Sequence, residues 1–152
     1  NKYIKENTEK LLKQLQEKNA EGFNWLKQNN VKIYGTDTDM ESIKVAKMNI
    51  QNAGLTNYIY LEVADGTTFK PGPFVGKVVT NPPYGERIGE IEELEDVYFE
   101  LGENFKNNFK GSSAFIITGN KELLKKVRLK PSMKFDLRNG KLDSKFVQYD
   151  LF

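Results

Sequence analysis

Short strand-like runs alternate with helix-like segments along this chain, and this order restricts the fold more than any other feature. Runs rich in β-branched and aromatic residues occur at 31–37, 57–65, 77–80 and 112–119, and helical spacing occupies 8–27, 38–53 and 91–109. A short helix at 120–129 and two strands meeting at Asn139-Gly140, a hairpin signal, complete the chain. This order favours an α/β fold with a mostly parallel twisted sheet, flanking helices and a C-terminal antiparallel hairpin.

The helices can be placed more closely from their apolar spacing and end signals. Thr38 and Glu41 match a capping box, and Gly54 matches a helix C-terminus. The expected packing stripes are Leu11, Leu15, Phe23 and Leu26 in the first helix, Ile43, Ala46, Ile50 and Ala53 in the second, and Ile91, Leu94, Tyr98, Leu101, Phe105 and Phe109 in the third. The strand at 112–119 looks wholly buried. At 152 residues, one domain is expected.

The inventory of side chains excludes several kinds of chemistry. The sequence has no cysteine and no histidine, so a disulfide framework, a Cys/His zinc site and a nucleophile paired with histidine are ruled out. We expect no metal. No apolar run approaches the ~18 residues of a membrane span and no signal peptide opens the chain, so a soluble cytoplasmic protein without a membrane partner is expected.

Charge is unevenly distributed although the net charge is only +2. Residues 86–104 carry eight acids and one arginine, whereas residues 121–152 carry nine bases and four acids. The basic segment could contact RNA phosphates, with Lys125, Lys126 and Arg128 as candidates, or it could simply be a solvated face.

Polar residues follow three of the predicted strands: Asp37, Asp65 and Asn81. In an open α/β sheet, ligands bind beyond the carboxyl ends of the strands. Asp37 could accept hydrogen bonds from ribose hydroxyls, or it could be a helix N-terminal acid beside Asp39. Asp65, followed by Gly66, could accept a hydrogen bond from an adenine amine, or the pair could be only a turn.

The segment "NPPY", residues 81–84, is more specific. The two prolines stiffen it and lack N–H donors, so it presents two acceptors, the side-chain oxygen of Asn81 and the carbonyl of Pro82. Two fixed acceptors suit a planar NH2 group, and Tyr84 offers a ring on which a base can stack. The alternative is a Pro-Pro turn with Tyr84 in the core. The segment resembles motif IV of class I S-adenosylmethionine-dependent methyltransferases that act on nitrogen.

The longer pattern "IYGTDTDMESIKVAKMNIQNAG", "VTNPPYGERIG" and "RNGKLDSKFVQYDLF" is similar to the THUMP-associated methyltransferases that modify guanine N2 in large-subunit ribosomal RNA. The resemblance covers essentially the whole chain. It implies a partial Rossmann-like fold of the class I methyltransferase type, with S-adenosylmethionine as cofactor and RNA as partner. It also assigns Asp37 with Thr38 and Asp65 with Gly66 to the cofactor, Asn81, Pro82, Pro83 and Tyr84 to catalysis, and Glu86 with Arg87 to the shape of the loop.

The sequence departs from this family at its start. It contains no D-x-x-x-G-x-G cofactor loop, no first strand before that loop and no THUMP domain. We therefore expect residues 1–152 to be the C-terminal part of one catalytic domain, with 1–30 as a leading helix and 31–152 running from the second strand to the hairpin. The central strand would be missing and its gap filled by another segment or closed by repacking. The upstream part of the same protein would be a partner, and the isolated 152 residues would be inactive and bind the cofactor weakly or not at all.

Two classes of function remain open from the sequence. The first is a methyltransferase, and within it the substrate is open, because "NPPY" also serves enzymes that methylate adenine N6, cytosine N4 or a protein glutamine. A non-catalytic RNA-binding module that keeps the fold is the alternative from a different class.

Overall fold

Two compact units, Asn1–Val63 and Ala64–Phe152, make up the computed structural model, which describes residues 2–85, 91–140 and 142–152. The helices are α1 (Lys2–Gln28), α2 (Met40–Asn52) and α3 (Ile91–Asn108). The strands are β1 (Ile33–Asp37), β2 (Ile59–Val63), β3 (Lys77–Thr80), β4 (Ser113–Thr118), β5 (Met133–Asn139) and β6 (Leu142–Asp150), and a 3-10 helix spans Leu123–Val127. The predicted α/β order of elements is confirmed.

In the first unit, β1 and β2 form a parallel pair with α2 as their crossover, in a register that sets Ile33 opposite Ile59. The predicted cap of α2 at Thr38 is wrong by one residue. Asp39 is the cap, because its carboxylate accepts hydrogen bonds from the backbone N–H groups of both Glu41 and Ser42 at 3.1 Å. The predicted end of the helix is confirmed, since Gly54 follows it with a φ of +70°.

Helix α1 is longer and less buried than its apolar stripe predicts. Leu11 and Leu15 are 59% and 55% exposed, so the expected stripe does not pack over most of the helix. A packing contact is seen in its C-terminal part, where the ring of half-buried Phe23 lies 5.8 Å from that of Tyr58. Lys, Glu, Gln and Leu favour helix without a partner, which explains why the helix extends beyond its packed end. No helix of the described ranges is long and apolar enough to cross a bilayer.

The second unit contains a four-stranded sheet in the order β3-β4-β6-β5. Strands β3 and β4 are parallel, and β6 runs antiparallel to both β4 and β5, so the predicted C-terminal hairpin is confirmed. Gly140 turns between its strands with a φ of +63°. Among the described residues, β1 pairs only with β2 and β3 only with β4, so each of these two strands has one edge without a strand beside it.

The core of the second unit lies between α3, the 3-10 helix and one face of the sheet. The α3 stripe is buried as predicted at Leu94, Tyr98, Leu101, Phe105 and Phe109; the side chain of Ile91 is outside the described part. Strand β4 is not wholly buried as expected. It alternates between buried and half-buried residues, because only the face that carries Ala114, Ile116 and Thr118 meets α3.

Helix α3 approaches the 3-10 helix unusually closely at one glycine. A Cβ atom at Gly102 would lie 2.0 Å from the carbonyl oxygen of Val127. Only glycine therefore permits this contact, which brings buried Val127 and Leu123 against α3.

Candidate active site

Asp37 is held in a tight local turn at the end of β1. One of its carboxylate oxygens, Oδ1, accepts a hydrogen bond from the backbone N–H of Asp39 at 2.8 Å. The other oxygen has no hydrogen-bond partner among the described residues, and both Asp37 and Thr38 are exposed. The side chain is thus oriented by the start of α2 while it keeps one free acceptor.

Asp39 takes the capping role that the sequence left open for Asp37. Its carboxylate also accepts a hydrogen bond from the Ser42 hydroxyl at 2.7 Å. This bond, followed by those from the backbone of Glu41 and Ser42, lowers the pKa of Asp39 below its usual value. Because Asp39 satisfies the helix terminus, Asp37 is not needed there.

The predicted Asp65-Gly66 turn is present and is anchored to α3. Asp65 accepts the backbone N–H of Thr67 on its Oδ1 at 2.8 Å, and its carbonyl accepts those of Thr68 and Phe69. Its other carboxylate oxygen has no hydrogen-bond partner among the described residues. The carboxylate is exposed, so the turn presents one acceptor to solvent.

The anchor of this turn is Asn104, a residue that sequence reasoning missed. Its amide nitrogen donates to the carbonyls of Gly66 and Phe69 at 2.9 and 3.0 Å, and only 4% of the residue is exposed. Asn108 in turn donates to its Oδ1 at 2.6 Å. An asparagine beside Phe105 in the buried stripe of α3 was the available signal, because a buried polar group needs fixed partners.

The "NPPY" segment leaves β3 as an extended loop with trans peptide bonds. Pro82 is buried and fixes the loop to the unit, whereas Asn81 is exposed. Neither the Asn81 amide nor the Pro82 carbonyl makes a hydrogen bond to the described residues. On this stiff segment, neither of the two acceptors predicted from the sequence is therefore satisfied by a described residue.

Tyr84 lies between the two alternatives that the sequence offered for it. It is half-buried and packs against the hydrophobic core of the second unit. Its Cδ2 would lie 3.4 Å from a Cβ at Gly119, and the Cδ2 of Leu142 only 2.5 Å from the same position. The absence of a side chain at Gly119, just after β4, thus makes room for Tyr84 and Leu142 together.

A buried pair of hydroxyl groups connects α3 to the end of β4 close to Tyr84. Tyr98 donates to the Thr118 hydroxyl at 2.8 Å, and the backbone N–H of Asn120 donates to the same oxygen at 3.1 Å. Burial raises the pKa of Tyr98, with a further contribution from the Tyr84 phenol, while the bond to Thr118 opposes it. Tyr98 therefore stays protonated and fixes the strand end that Tyr84 contacts.

The structure brings the four "NPPY" residues together on one loop of the second unit and places the Asp65-Gly66 turn in that same unit. Asp37 and Thr38 belong to the first unit. Glu86 and Arg87, expected to shape the loop, lie outside the described residues. Among those described, no group of three or more acidic side chains is placed to hold a metal ion.

Comparison with known proteins identifies the family. A family model described as "RMKL-like, methyltransferase domain" matches residues 2–148. The chain belongs to this family. The family expected from the "NPPYGER" pattern is confirmed at this level, while the THUMP domain and the individual site residues stay predictions.

A curated relative and two crystal structures agree with this assignment. The chain is 37% identical over 126 residues to "Ribosomal RNA large subunit methyltransferase K/L" of Shewanella baltica (strain OS185). This match covers 83% of the chain and 18% of that protein. A possible methylase from Clostridium difficile 630 is 38% identical with a TM-score of 0.74, over 80% of this chain and 32% of that one. SMU.472, crystallised in complex with SAH, is 31% identical with a TM-score of 0.72, and the match covers 79% of this chain and 32% of that one.

These matches confirm the predicted methyltransferase fold of the chain. They also show that it spans less than a fifth of the length of that curated relative.

Proposed function

We propose that this chain forms the substrate-holding part of an S-adenosylmethionine-dependent methyltransferase that modifies guanine N2 in large-subunit ribosomal RNA. Membership of the methyltransferase family supports the reaction class. The relative named as a large-subunit ribosomal RNA methyltransferase supports RNA as the substrate, and the SAH complex of a related structure supports the cofactor.

The observation that carries the proposal is that neither the Asn81 side-chain oxygen nor the Pro82 carbonyl bonds to a described residue, on the same short segment that carries Tyr84. Acceptors without a hydrogen-bond partner on a stiff segment are available to a ligand without first breaking internal bonds. An exocyclic amine offers two N–H donors, which match these two oxygens. The amine of an unstacked guanine could therefore be held here while its ring lies against Tyr84.

Each group of the segment has a part in the proposed reaction. The oxygens of Asn81 and Pro82 orient the amine so that its nitrogen lone pair faces the methyl donor. They also stabilise the positive charge that develops on nitrogen as the new N–C bond forms and the bond from the methyl carbon to sulfur breaks; the methylated nitrogen then loses one proton to solvent. The buried Pro82 and the packed Tyr84 keep this arrangement rigid, so little reorganisation is needed during the reaction.

The residues predicted for the cofactor fit its polar groups. The free carboxylate oxygen of Asp37 can accept from ribose hydroxyls, and the exposed carboxylate of Asp65 can accept from the adenine amine. When bound, S-adenosylmethionine supplies an activated methyl group on a positively charged sulfur. The described residues offer no glycine-rich loop for its methionine part, so weak binding of the cofactor by the isolated chain remains our prediction. Tight stoichiometric binding in calorimetry would contradict it.

The decisive test is made in the organism that encodes the protein. Deletion of the gene should remove at least one N2-methylguanine from large-subunit ribosomal RNA, measured by mass spectrometry of its nucleosides. Retention of every such modification would rule out the assignment. Loss of a methylated adenine, cytosine or protein glutamine instead would identify a different amine substrate.

A matched pair of asparagine variants tests the assigned site in the full-length natural protein. Asn81→Ala should lower kcat by about 100-fold, by analogy with loss of one preorganised hydrogen-bonding group in other enzymes. Asn107→Ala is the control, since Asn107 is exposed on α3 and outside the site. RNA binding without any methyl transfer by the unmodified protein would support the non-catalytic module instead.

A further inference from the structure

A groove lined with lysines lies in the second unit, between the segment 121–131 and one face of the C-terminal hairpin. Its floor is apolar, formed by residues such as Leu124, Leu129 and Val147, and it encloses about 270 Å³. Its remaining lining is mostly basic: Lys121, Lys125, Lys134 and Lys145. The groove is separate from the acceptors on the "NPPY" loop.

The sheet register explains why the lysines converge. Lys134 on β5 is the cross-strand partner of Val147 on β6, and Asp136 is the partner of Lys145. Directly opposed residues project from the same face of an antiparallel pair. One face of the hairpin thus presents Lys134 and Lys145 to the groove, while the chain leaving β4 brings Lys121 to its rim.

Two of the four cations are compensated within the protein. Lys125 pairs with Glu122 at 2.5 Å, and Lys145 pairs with Asp136. Lys121 and Lys134 make no hydrogen bond or close ion pair with the described residues, although the pKa of Asp136 is lowered chiefly by Lys145 and to a smaller extent by the charge of Lys121. The groove therefore keeps an excess of positive charge around an apolar floor.

The other basic residues singled out from the sequence are already engaged outside the groove. Lys126 pairs with Glu95 at 2.6 Å, and the Arg128 guanidinium lies 4.6 Å from the centre of the Phe99 ring. These contacts bind the 3-10 helix region to α3. Lys126 and Arg128 are thus poorer candidates for contacts with a ligand than Lys121 and Lys134.

We propose that this groove binds a nucleotide of the RNA strand next to the methylated one, with a phosphate on Lys121 and Lys134 and the sugar or base on the apolar floor. RNA is the partner of opposite charge that also carries flat apolar groups, and lysines contact its phosphates as point charges. The inference rests on the proposed function for the choice of RNA. Lys121 lies two residues after Gly119, whose missing side chain leaves room for the Tyr84 ring. The Cα atoms of Lys121 and Gly119 are therefore at most about 7.6 Å apart, and this rim of the groove lies near Tyr84.

The test measures how RNA affinity depends on salt in the full-length natural protein. The probe is a 12-nucleotide oligouridine followed by fluorescence anisotropy across a range of salt concentrations. Each phosphate contact to a single strand contributes roughly 0.7 to the slope of log K against log salt. The variant Lys121→Gln/Lys134→Gln removes the pair of lysines that holds one phosphate and should therefore lower the magnitude of that slope by about 0.7.

Two control variants isolate the effect of position from that of charge. Lys47→Gln/Lys110→Gln removes the same charge from exposed positions outside the groove and should leave the slope unchanged. Lys121→Arg/Lys134→Arg keeps the charge and should keep the slope. Circular dichroism of all variants checks that each is folded, and a conserved spectrum with a lowered slope only in the glutamine groove variant supports the proposal.

The outcomes separate this inference from the proposed function. An unchanged slope in the groove variant, with ribosomal RNA still methylated by the unmodified protein, overturns the groove alone. A lowered slope with no methylation of ribosomal RNA overturns the proposed function and supports the groove. Loss of affinity for a 12-residue polyglutamate peptide, with RNA affinity retained, would assign the groove to an acidic peptide and overturn the proposal.

Discussion

Replacing Asn104 by alanine tests whether the turn that carries Asp65 is held by α3. The change removes three part-buried hydrogen bonds: two from the Asn104 side-chain amide to the carbonyls of Gly66 and Phe69, and one that its Oδ1 accepts from Asn108. At a net 0.5–1.5 kcal/mol each, the loss of unfolding free energy should be about 1.5–4.5 kcal/mol. For a protein of this size, that corresponds to a melting temperature lower by roughly 3–18 °C.

The same variant should affect the cofactor before it affects the reaction. With its anchor gone, the Asp65 turn loses its fixed position, so the KM for S-adenosylmethionine should rise in the full-length protein while kcat changes less. Asn107→Ala, an exposed asparagine on the same helix, is the matched control for both measurements. Melting of Asn104→Ala within about 1 °C of this control would refute the assigned role of Asn104.

Three further changes test other parts of the structure. Tyr149→Phe should be neutral or stabilising, because the buried hydroxyl of Tyr149 has no partner among the described residues. Burial raises the pKa of Tyr149 to about 12. The folded state therefore loses stability as pH rises from about 10 to 12, because the phenol ionises first in the unfolded chain. Tyr149→Phe should reduce this fall in melting temperature at alkaline pH. The pKa of Asp39 is lowered, so the stability from its cap is lost as pH falls below about 4, and Asp39→Asn should lessen the difference in melting temperature between pH 7 and pH 3. Gly102→Ala should lower the melting temperature although alanine favours helix by about 1 kcal/mol, because its Cβ would strike the Val127 carbonyl; a higher melting temperature would contradict this.

The alternation of elements and the hairpin were predictable from the sequence because they depend on local patterns. Strand β3 matches its predicted bounds, and the stripe of α3 is buried as its spacing requires. The exposure of Leu11 was not predictable in this way. Apolar spacing shows that a helix can pack on one side, but it does not show whether a partner lies there.

The stiff segment of the candidate site was predictable because its residues are consecutive. The prolines at 82 and 83 imply such a segment by themselves, and neither the Asn81 side-chain oxygen nor the Pro82 carbonyl bonds to a described residue. The roles of Asn104 and Gly119 depend on contacts between segments far apart in sequence, 35 or more residues in the case of Asn104. A single sequence does not show such contacts directly. For Asn104, the only signal was a polar residue within the apolar stripe of α3, and for Gly119 there was none.

The two outer edges of the four-stranded sheet differ in how they would behave in a concentrated solution. Strand β5 carries Lys134, Asp136 and Arg138, and charges of this kind discourage another chain from pairing with an edge. Strand β3 has three uncharged residues after Lys77, and Val79 is 67% exposed. Wherever that edge is left uncovered, these four residues are the expected starting point for aggregation, so storage and crystallisation would be governed by them more than by the small net charge.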